Sequence, residues 1–269
     1  MTPPDDVYTH GHHDSVLRSH RWRTIDNSAA YVEAEFVPGA SVLDVGCGPG
    51  TITLEIAKRV TPGRVVGLDR SDEVIAAAVA DASDAAVTNL EYRVGDVYSL
   101  DFPDDSFDVV HAHQVLQHLS DPVAALVEMR RVCRPGGIVA ARDSDYSAKT
   151  WFPAVGELDE WLALYLELAR SNDAEPDAGR HLRSWAIAAG FDDIQSSAST
   201  WCFATDADRA WWSSLWADRV VSSAFAEQAR ERGLATDADL QRLAEGWRRW
   251  GAIPDSCFVA VLGEIRCRC

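Results

Sequence analysis

The chain has 269 residues, enough for one large domain or two small ones around a full hydrophobic core. Hydrophobic residues make up 47% of it, but the formal net charge is −17, and so acidic a surface repels phosphate backbones and anionic membranes. No apolar run reaches the roughly 20 residues of a membrane helix, and the first residues do not read as a targeting signal. We therefore expect a cytoplasmic protein, a monomer or a homodimer, without nucleic-acid or membrane partners.

The segment before the first predicted strand, residues 8–31, is rich in histidine and arginine, and its apolar spacing indicates one or two helices. Four of its histidines suggest a zinc site: His10, His12, His13 and His20. Neighbours in sequence point in divergent directions, however, and no carboxylate or thiol completes the set. The six cysteines are scattered without a disulfide framework, and Cys267 with Cys269 is too small a pair for a metal site. The sequence therefore predicts no metal site and reduced thiols.

A strand, a glycine turn and a helix follow one another over residues 41–60. Residues 41–45 are apolar and β-branched, as in a buried parallel strand, and residues 51–60 have helical apolar spacing. Three glycines lie between them: Gly46, Gly48 and Gly50. Residues without a β-carbon let a ligand approach the backbone, and the free amides at the start of a helix favour a polar or anionic group. The turn therefore predicts a nucleotide-like cofactor.

Further polar residues follow the ends of the next predicted strands. The second strand ends at Asp69, about 20 positions beyond the glycines, where doubly wound sheets hold a pair of ribose hydroxyls. The alternative is a plain Rossmann-like turn in which this aspartate caps a helix. After the third strand, Asp96 can accept a hydrogen bond from an adenine amino group while Val97 covers the ring. The fourth strand ends at His113 and Gln114.

In this order, the motifs resemble those of class I S-adenosylmethionine-dependent methyltransferases. The likeness is greatest to the ubiquinone/menaquinone-biosynthesis-like group, whose members act on many small molecules. The stretches that carry it are residues 44–50, Asp69, residues 95–97, 107–119 and 126–137. The resemblance covers about residues 8–155 well and the rest of the chain only in outline. The Gly-x-Gly-x-Gly spacing argues against a dinucleotide, although the turn alone is also compatible with a nicotinamide dehydrogenase.

The resemblance implies an α/β fold, with a doubly wound Rossmann-like seven-stranded sheet whose last strand is antiparallel, and S-adenosylmethionine as cofactor. It also implies that the N-terminal segment folds over the cofactor, with Tyr8 and His13 as candidate contacts. The alternative for these two residues is a surface helix cap. The candidate cofactor-binding residues are Tyr8, His13, Asp44, Gly46, Cys47, Gly48, Asp69, Arg70, Asp96, Val97, His113 and Gln114.

Beyond the second strand, helices are predicted over residues 72–82, with Ser71 as the N-cap, and over residues 122–133. The fifth strand begins with residues 138–141, and the loop expected after it, residues 142–153, would face the transferred methyl group. A solvated acidic turn is the alternative for that loop. If the acceptor needs a general base, the candidates are His113, His118, Asp143 and Asp145.

The rest of the chain alternates between predicted helices and strands. Helices are expected over residues 157–170 and 181–189, and strands over residues 191–203 and 256–267, the last one antiparallel. Five of the ten tryptophans lie in the insertion between these strands: Trp211, Trp212, Trp216, Trp247 and Trp250. Tryptophans at helical spacing are more often core than pocket lining. We expect three parts: lid helices over residues 1–40, a methyltransferase core over residues 41–205 and 251–269, and a helical cap over residues 206–250.

The predicted function is methyl transfer to an oxygen, nitrogen, carbon or sulfur atom of a small-molecule substrate, in secondary metabolism. A thiol is the favoured acceptor because its pKa is nearest neutrality. Residues 8–31 also resemble a subgroup of microbial secondary metabolism whose fungal members include enzymes that methylate dithiols of small cyclic peptides. The alternative is a protein that keeps the cofactor site without transferring methyl groups, or an enzyme of another reaction on the same fold.

Overall fold

A computed structural model describes residues 6–11, 13–83, 85 and 87–269 of the chain. Within these residues, seven strands form one sheet in the order β3-β2-β1-β4-β5-β7-β6, and β7 is antiparallel to both of its neighbours. The strands are β1 Val42–Val45, β2 Val65–Asp69, β3 Leu90–Val94, β4 Phe107–His113, β5 Cys133–Phe152, β6 Asp193–Phe203 and β7 Cys257–Arg268. The predicted doubly wound, Rossmann-like α/β sheet with an antiparallel last strand is confirmed.

The described α-helices are α1 Asp14–Arg21, α2 Thr51–Val60, α3 Asp72–Ser83, α4 Pro122–Val132, α5 Gly156–Arg170, α6 Ala178–Ala188, α7 Asp206–Ser222, α8 Ala224–Glu231 and α9 Asp237–Ala252. Five of them, α1, α3, α4, α7 and α9, begin at a side chain that accepts a hydrogen bond from the first turn. Short π-helical and 3-10 turns cover Ile25–Ala29, Ala30–Glu35 and Leu116–His118. The Ser71 hydroxyl accepts a hydrogen bond from the Val74 amide at 3.3 Å, so the predicted N-cap of α3 is confirmed.

The central strand β1 explains why polar groups gather at one edge of the sheet. All four of its residues are buried, and it pairs in parallel with β2 on one side and β4 on the other. Val42 accordingly lies opposite both Val65 and Val109. The carboxyl ends of these parallel strands emerge together, and ligands of such sheets bind outside that edge.

Strand β5 is longer than the sequence predicts. Instead of a loop after residue 141, the strand continues to Phe152 because β7 pairs with it in antiparallel fashion over most of its length. The register shifts between Asp145 and Thr150. The predicted loop over residues 142–153 is therefore wrong, since most of these residues are hydrogen-bonded within the sheet.

Helices α7, α8 and α9 lie where the sequence predicts a helical insertion, and they pack against one another and against α5. Four of their tryptophans are buried: Trp212, Trp216, Trp247 and Trp250. The ring of Trp161 in α5 lies 4.5 Å from that of Trp216, and the ring of Phe258 in β7 lies 5.5 Å from that of Trp247, centre to centre. These tryptophans therefore form a second hydrophobic core, separate from the core around the parallel strands.

Within the described residues, no three histidine, cysteine, aspartate or glutamate side chains are grouped so that they could hold a metal ion. His12, one of the four histidines in the zinc hypothesis, lies outside those residues. None of the helices in the described part of the chain is long and apolar enough to cross a membrane. The six cysteines are free thiols.

Candidate functional site

Two adjoining cavities lie at the carboxyl ends of the parallel strands. The large cavity has a volume of about 600 Å³ and is lined by the glycine turn, the ends of β2 and β4, and the N-terminal segment. The small cavity, of about 30 Å³, is lined by the N-terminal segment, β5, β6 and the cap helix α7. Five residues line both cavities: Tyr8, His20, Arg23, Gln114 and His118. The two cavities therefore meet between the N-terminal segment and the tip of β4.

The glycine turn lines one wall of the large cavity. Gly46, Gly48 and Gly50 have φ angles of 64°, 55° and 78°, a left-handed backbone that other residues disfavour. A β-carbon on Gly46 would also overlap the side chain of Val115. The structure brings the predicted contacts Gly46, Cys47 and Gly48 to the cavity, where the backbone is accessible to a ligand.

Asp69 lies beside this turn, at the end of β2. Its Oδ2 accepts a hydrogen bond from the Gly48 amide and its Oδ1 accepts one from the Ser71 amide, both at 3.1 Å. Because each carboxylate oxygen can accept two hydrogen bonds, the group keeps capacity for a pair of ribose hydroxyls. Arg70 follows in the cavity wall, and its guanidinium donates to the backbone carbonyl of Asp6 at 2.6 Å.

Asp44 also lines the large cavity, but its carboxylate serves the protein itself. Its Oδ1 lies 2.8 Å from Nδ1 of His111, and its Oδ2 accepts a hydrogen bond from the Thr53 hydroxyl at 2.6 Å. Asp44 and His111 are both buried, so this contact joins β1 to β4, while Thr53 joins it to α2. These two contacts give Asp44 a positioning role within the fold, and its direct contact with the cofactor stays a prediction.

The other end of the large cavity contains the predicted adenine contacts. Asp96 accepts a hydrogen bond from the Tyr98 amide at 3.0 Å, and Val97 is nearly buried beside it. The carboxylate of Asp6 accepts hydrogen bonds from the Tyr98 hydroxyl and the Ser120 amide, both at 2.9 Å. Asp6 thus anchors the start of the N-terminal segment at this end of the cavity, and these two hydrogen bonds are called the latch below.

The tip of β4 places His113 and Gln114 in the wall of the large cavity. Neither ring nitrogen of His113 has a hydrogen-bond partner among the described residues, although the side chain is buried. Burial, followed by the charges of Arg23 and Arg142, lowers the pKa of His113 well below its usual value, so the ring is neutral at pH 7. Gln114 has a φ of 55°, and its side-chain oxygen accepts a hydrogen bond from Arg23. An unpartnered imidazole at a cavity fits a ligand that supplies the missing hydrogen bond.

His118 lines both cavities, but its geometry argues against its predicted role as a general base. The Gln117 amide oxygen accepts a hydrogen bond from the Ser144 backbone at 3.0 Å, so the other amide atom is the nitrogen, which donates to Nε2 of His118 at 2.9 Å. That lone pair is therefore occupied. Burial, followed by the charge of Arg23, lowers the pKa of His118 to about 3.

The two carboxylates predicted as bases lie outside both cavities. Asp145 accepts a hydrogen bond from Nε of Arg180 at 2.7 Å, within an ion pair. Asp143 is buried, and its Oδ1 accepts a hydrogen bond from the backbone N–H of Gln117 at 3.1 Å. Burial raises the pKa of Asp143 to about 7, although the hydrogen bond from Gln117 opposes the shift. Asp143 and Asp145 therefore face neither cavity, whereas Ser144, Tyr146 and Lys149 of the same segment line the small one.

His13 lies outside both cavities as well. It is exposed, and its Nδ1 accepts a hydrogen bond from the Ser15 amide at 3.2 Å, at the start of α1. For His13 the alternative of a surface helix cap is therefore the correct one. Tyr8 does line both cavities, and its hydroxyl lies 3.4 Å from Nε2 of His20.

Several residues of the cavity walls were not among the predicted cofactor-binding or catalytic residues, among them the basic residues His20, Arg23, Lys149 and Arg219. His20 and Arg23 are three positions apart, a spacing that places side chains on one side of a helical turn and could have indicated a shared face. Lys149 lies in the segment of residues 142–153 that was expected to face the transferred methyl group, whereas Arg219 carries no such signal. They lie on β5 and in the cap, and only the folded chain brings them to the cavity.

A family model described as a methyltransferase domain matches residues 36–201 of the chain. An uncharacterized methyltransferase of Schizosaccharomyces pombe is 39% identical over an alignment of 283 positions, which covers 98% of this chain and 98% of that protein. A demethylmenaquinone methyltransferase of Lactococcus lactis is 36% identical over 109 positions, which cover 40% of this chain and 43% of that protein.

A solved structure of phosphoethanolamine N-methyltransferase 2 of Haemonchus contortus, in complex with phosphomonomethylethanolamine and S-adenosylhomocysteine, has the same fold. It matches with a TM-score of 0.59 and 18% sequence identity, and the match covers 96% of this chain and 58% of that one. The fold described above is therefore shared with a protein of distant sequence.

Proposed function

The chain belongs to the class I S-adenosylmethionine-dependent methyltransferases, and we propose that it methylates a small molecule held in the small cavity. The cofactor, when bound, supplies an activated methyl group on a sulfonium centre. The proposal concerns the acceptor, an oxygen, nitrogen, carbon or sulfur atom of a small molecule, with a thiol as the favoured group and secondary metabolism as the setting.

The junction of the two cavities is the observation that supports this proposal most directly. The volume of the large cavity, about 600 Å³, suits a nucleoside-sized cofactor, and Asp69 and Asp96 line it. A cofactor with its ribose at Asp69 and its adenine at Asp96 would have its reacting end near the tip of β4. There the wall is shared with the small cavity, so an acceptor in the small cavity would face that end.

The chain's own residues at the junction bind, orient and exclude water. Burial lowers the pKa of Arg23 to about 10, so its guanidinium stays charged at pH 7 and suits a cofactor carboxylate. Its hydrogen bond to the Gln114 side chain fixes both groups. Tyr8 and His20, from the same N-terminal segment, close the junction from the outside. Alignment of two reactants in a water-poor site is the main catalytic task in a displacement of this kind.

The small cavity favours an acceptor that ionises near neutral pH. Two of the three imidazoles that line it are weak bases, because burial lowers the pKa of His118 to about 3 and that of His10 well below its usual value. A thiol has a pKa of about 8.5 and a phenol of about 10, so a thiol needs less help from the protein. This difference supports a thiol as the first class of acceptor to be tested.

Methyl transfer is tested by incubating the protein with methyl-labelled S-adenosylmethionine and a panel of small thiols, phenols and amines, followed by mass spectrometry of the products. We expect labelled product from at least one class, with thiols in the lead, and its loss in Asp69→Ala. Binding of S-adenosylhomocysteine without product from any acceptor would contradict the proposal and favour a protein that only binds the cofactor.

A further inference from the structure

Two basic side chains, Arg219 and Lys149, line the small cavity but not the large one, and neither has a carboxylate partner among the described residues. Arg219 of α7 is 4% exposed; its Nη2 donates to the Ser15 carbonyl at 3.1 Å and to the Ser19 hydroxyl at 2.9 Å, and its Nε has no partner in the described part of the chain. Lys149 of β5 is 9% exposed, and its ammonium lies over the ring of Tyr146.

The positive charges of Arg219 and Lys149 repel each other across the small cavity. Burial lowers the pKa of Lys149 well below its usual value, and the charge of Arg219 lowers it further. The carboxylates of Asp145 and Asp177 oppose this shift, but they form ion pairs with Arg180 and Arg170. The small cavity therefore disfavours the charged form of Lys149 until an anion lies beside it, because the nearest carboxylates are committed to other partners.

Aromatic rings offset only part of the cost of burying these cations. The guanidinium carbon of Arg219 lies 4.5 Å from the ring centre of Trp216, and Lys149 contacts Tyr146 in the same way. A ring face attracts a cation but supplies no negative charge, and burial of a charge is otherwise compensated by an ion of opposite sign. In a chain whose formal net charge is −17, the basic interior of this cavity is a local exception.

On the premise that the small cavity takes the methyl acceptor, we propose that the acceptor is an organic anion. Its acid group lies between Arg219 and Lys149, and its flat apolar body packs against Trp201 and Trp216, both of which line the cavity. The acid group neutralises the two cations, while the aromatic lining selects a flat molecule over a compact polar one.

The acceptor reaches these residues only when the N-terminal segment moves. A volume of about 30 Å³ has room for little more than one water molecule. Arg219 is bound to α1 through Ser15 and Ser19, so withdrawal of α1 enlarges the cavity and releases donors of the guanidinium at the same time. The anion then takes the place of these two partners.

Calorimetry on the full chain tests the proposal with two probes of equal shape, benzoate and neutral benzamide. Every protein is first titrated with S-adenosylhomocysteine, which tests the cofactor site and shows that the variant is folded. The saturated protein is then titrated with each probe. We expect wild type to bind benzoate at least tenfold more tightly than benzamide, and Arg219→Gln and Lys149→Gln each to reduce this preference severalfold.

Two further variants separate charge from packing. Arg219→Lys keeps the positive charge and should retain most of the preference for benzoate. Arg242→Gln removes a cation from the outer face of the cap, where Arg242 pairs with Glu160 and Asp239, and should leave the preference unchanged.

Equal binding of the two probes by the saturated wild type, or no binding of benzoate, overturns the proposal. A preference that persists in both Arg219→Gln and Lys149→Gln overturns it as well. If either variant fails to fold, the wild-type preference and Arg219→Lys decide. Failure of the wild type to bind S-adenosylhomocysteine would instead overturn the proposed function, so the two failures are distinguishable.

Discussion

At the scale of single residues, a buried ion pair inside the sheet contrasts with the basic side chains that line the small cavity. Arg142 is buried, and its Nε lies 3.2 Å from a carboxylate oxygen of Glu264. Hydroxyls of Ser197 and Ser199 donate to the same carboxylate, so the buried ion pair has the additional hydrogen bonds that such pairs need. Arg142 and Glu264 thus compensate each other inside the sheet, whereas Arg219 and Lys149 have no carboxylate partner among the described residues.

The change Asp69→Ala tests the predicted ribose contact. It removes the acceptor of two ribose hydroxyls, and hydrogen bonds to a charged group contribute about 1.5–3 kcal/mol each. We expect the affinity for S-adenosylhomocysteine, measured by calorimetry, to fall at least about tenfold. The control is Asp101→Ala, which removes an exposed carboxylate outside the large cavity. An unchanged affinity in Asp69→Ala would refute this assignment.

Asp143 should make stability depend on pH. Burial raises its pKa from the usual 3.8 to about 7, so between these values the folded state holds a proton that the unfolded state releases. The contribution of Asp143 to the free energy of unfolding is fully present below about pH 4. It falls by about 1.4 kcal/mol per pH unit from there and is lost once the pH has risen through about 7.

Denaturant unfolding of the wild type and of Asp143→Asn at several pH values between 5 and 8 measures this effect. We expect the free energy of unfolding of the variant to rise relative to that of the wild type as the pH increases. Parallel curves for the two proteins would show that the Asp143 carboxyl does not titrate in this range.

At the scale of elements, the N-terminal segment is held at both ends. Asp6 binds Tyr98 and Ser120 beside the large cavity, and Arg18 of α1 lies 2.8 Å from Asp218 of α7. Between these anchors Tyr8 lines both cavities, Leu17 lines the large one and His10 lines the small one. This arrangement supports the proposal that the segment is a lid. A lid is closed by a few polar contacts at its surface, and these can break without disrupting the hydrophobic core.

Deletion of residues 1–24 should leave a folded protein with an open site. Residues from Ile25 onward, including Val32 and Phe36, belong to a hydrophobic core with β1 and α2, and the deletion spares them. We expect a cooperative unfolding transition, an affinity for S-adenosylhomocysteine reduced at least severalfold, and loss of methyl transfer. The milder variant Asp6→Ala removes only the latch and should weaken cofactor binding less. Full activity in the truncated protein would show that the N-terminal segment is not a lid needed for methyl transfer.

Local signals decided which elements the sequence could predict. The strand, turn and helix around Gly46 and the N-cap at Ser71 are specified by neighbouring residues, and both were confirmed. Strand β5 was not predicted in full, because residues 142–147 are polar and read as a turn until β7 pairs with them. That partner lies more than 100 positions further along the chain, beyond the reach of periodicity arguments.

At the scale of the whole molecule, the cofactor side of the site is specified by local sequence signals, whereas the acceptor side depends on contacts between distant segments. Asp69 and Asp96 follow strands in a fixed order, so one stretch of sequence predicts where they lie. The small cavity is assembled from the N-terminal segment, the late part of β5, β6 and α7. Lys149 and Arg219 therefore meet only through the packing of the cap, which no sequence pattern describes.

A crystal structure of the protein with S-adenosylhomocysteine tests the account most directly. We expect the ribose hydroxyls within hydrogen-bond distance of Asp69, about 2.7–3.2 Å, the adenine beside Asp96 and Val97, and the sulfur atom toward the small cavity, near Gln114. Density for the ligand in the large cavity with its sulfur turned away from the small cavity would contradict the proposed path of the methyl group. Density outside the large cavity would contradict the site itself.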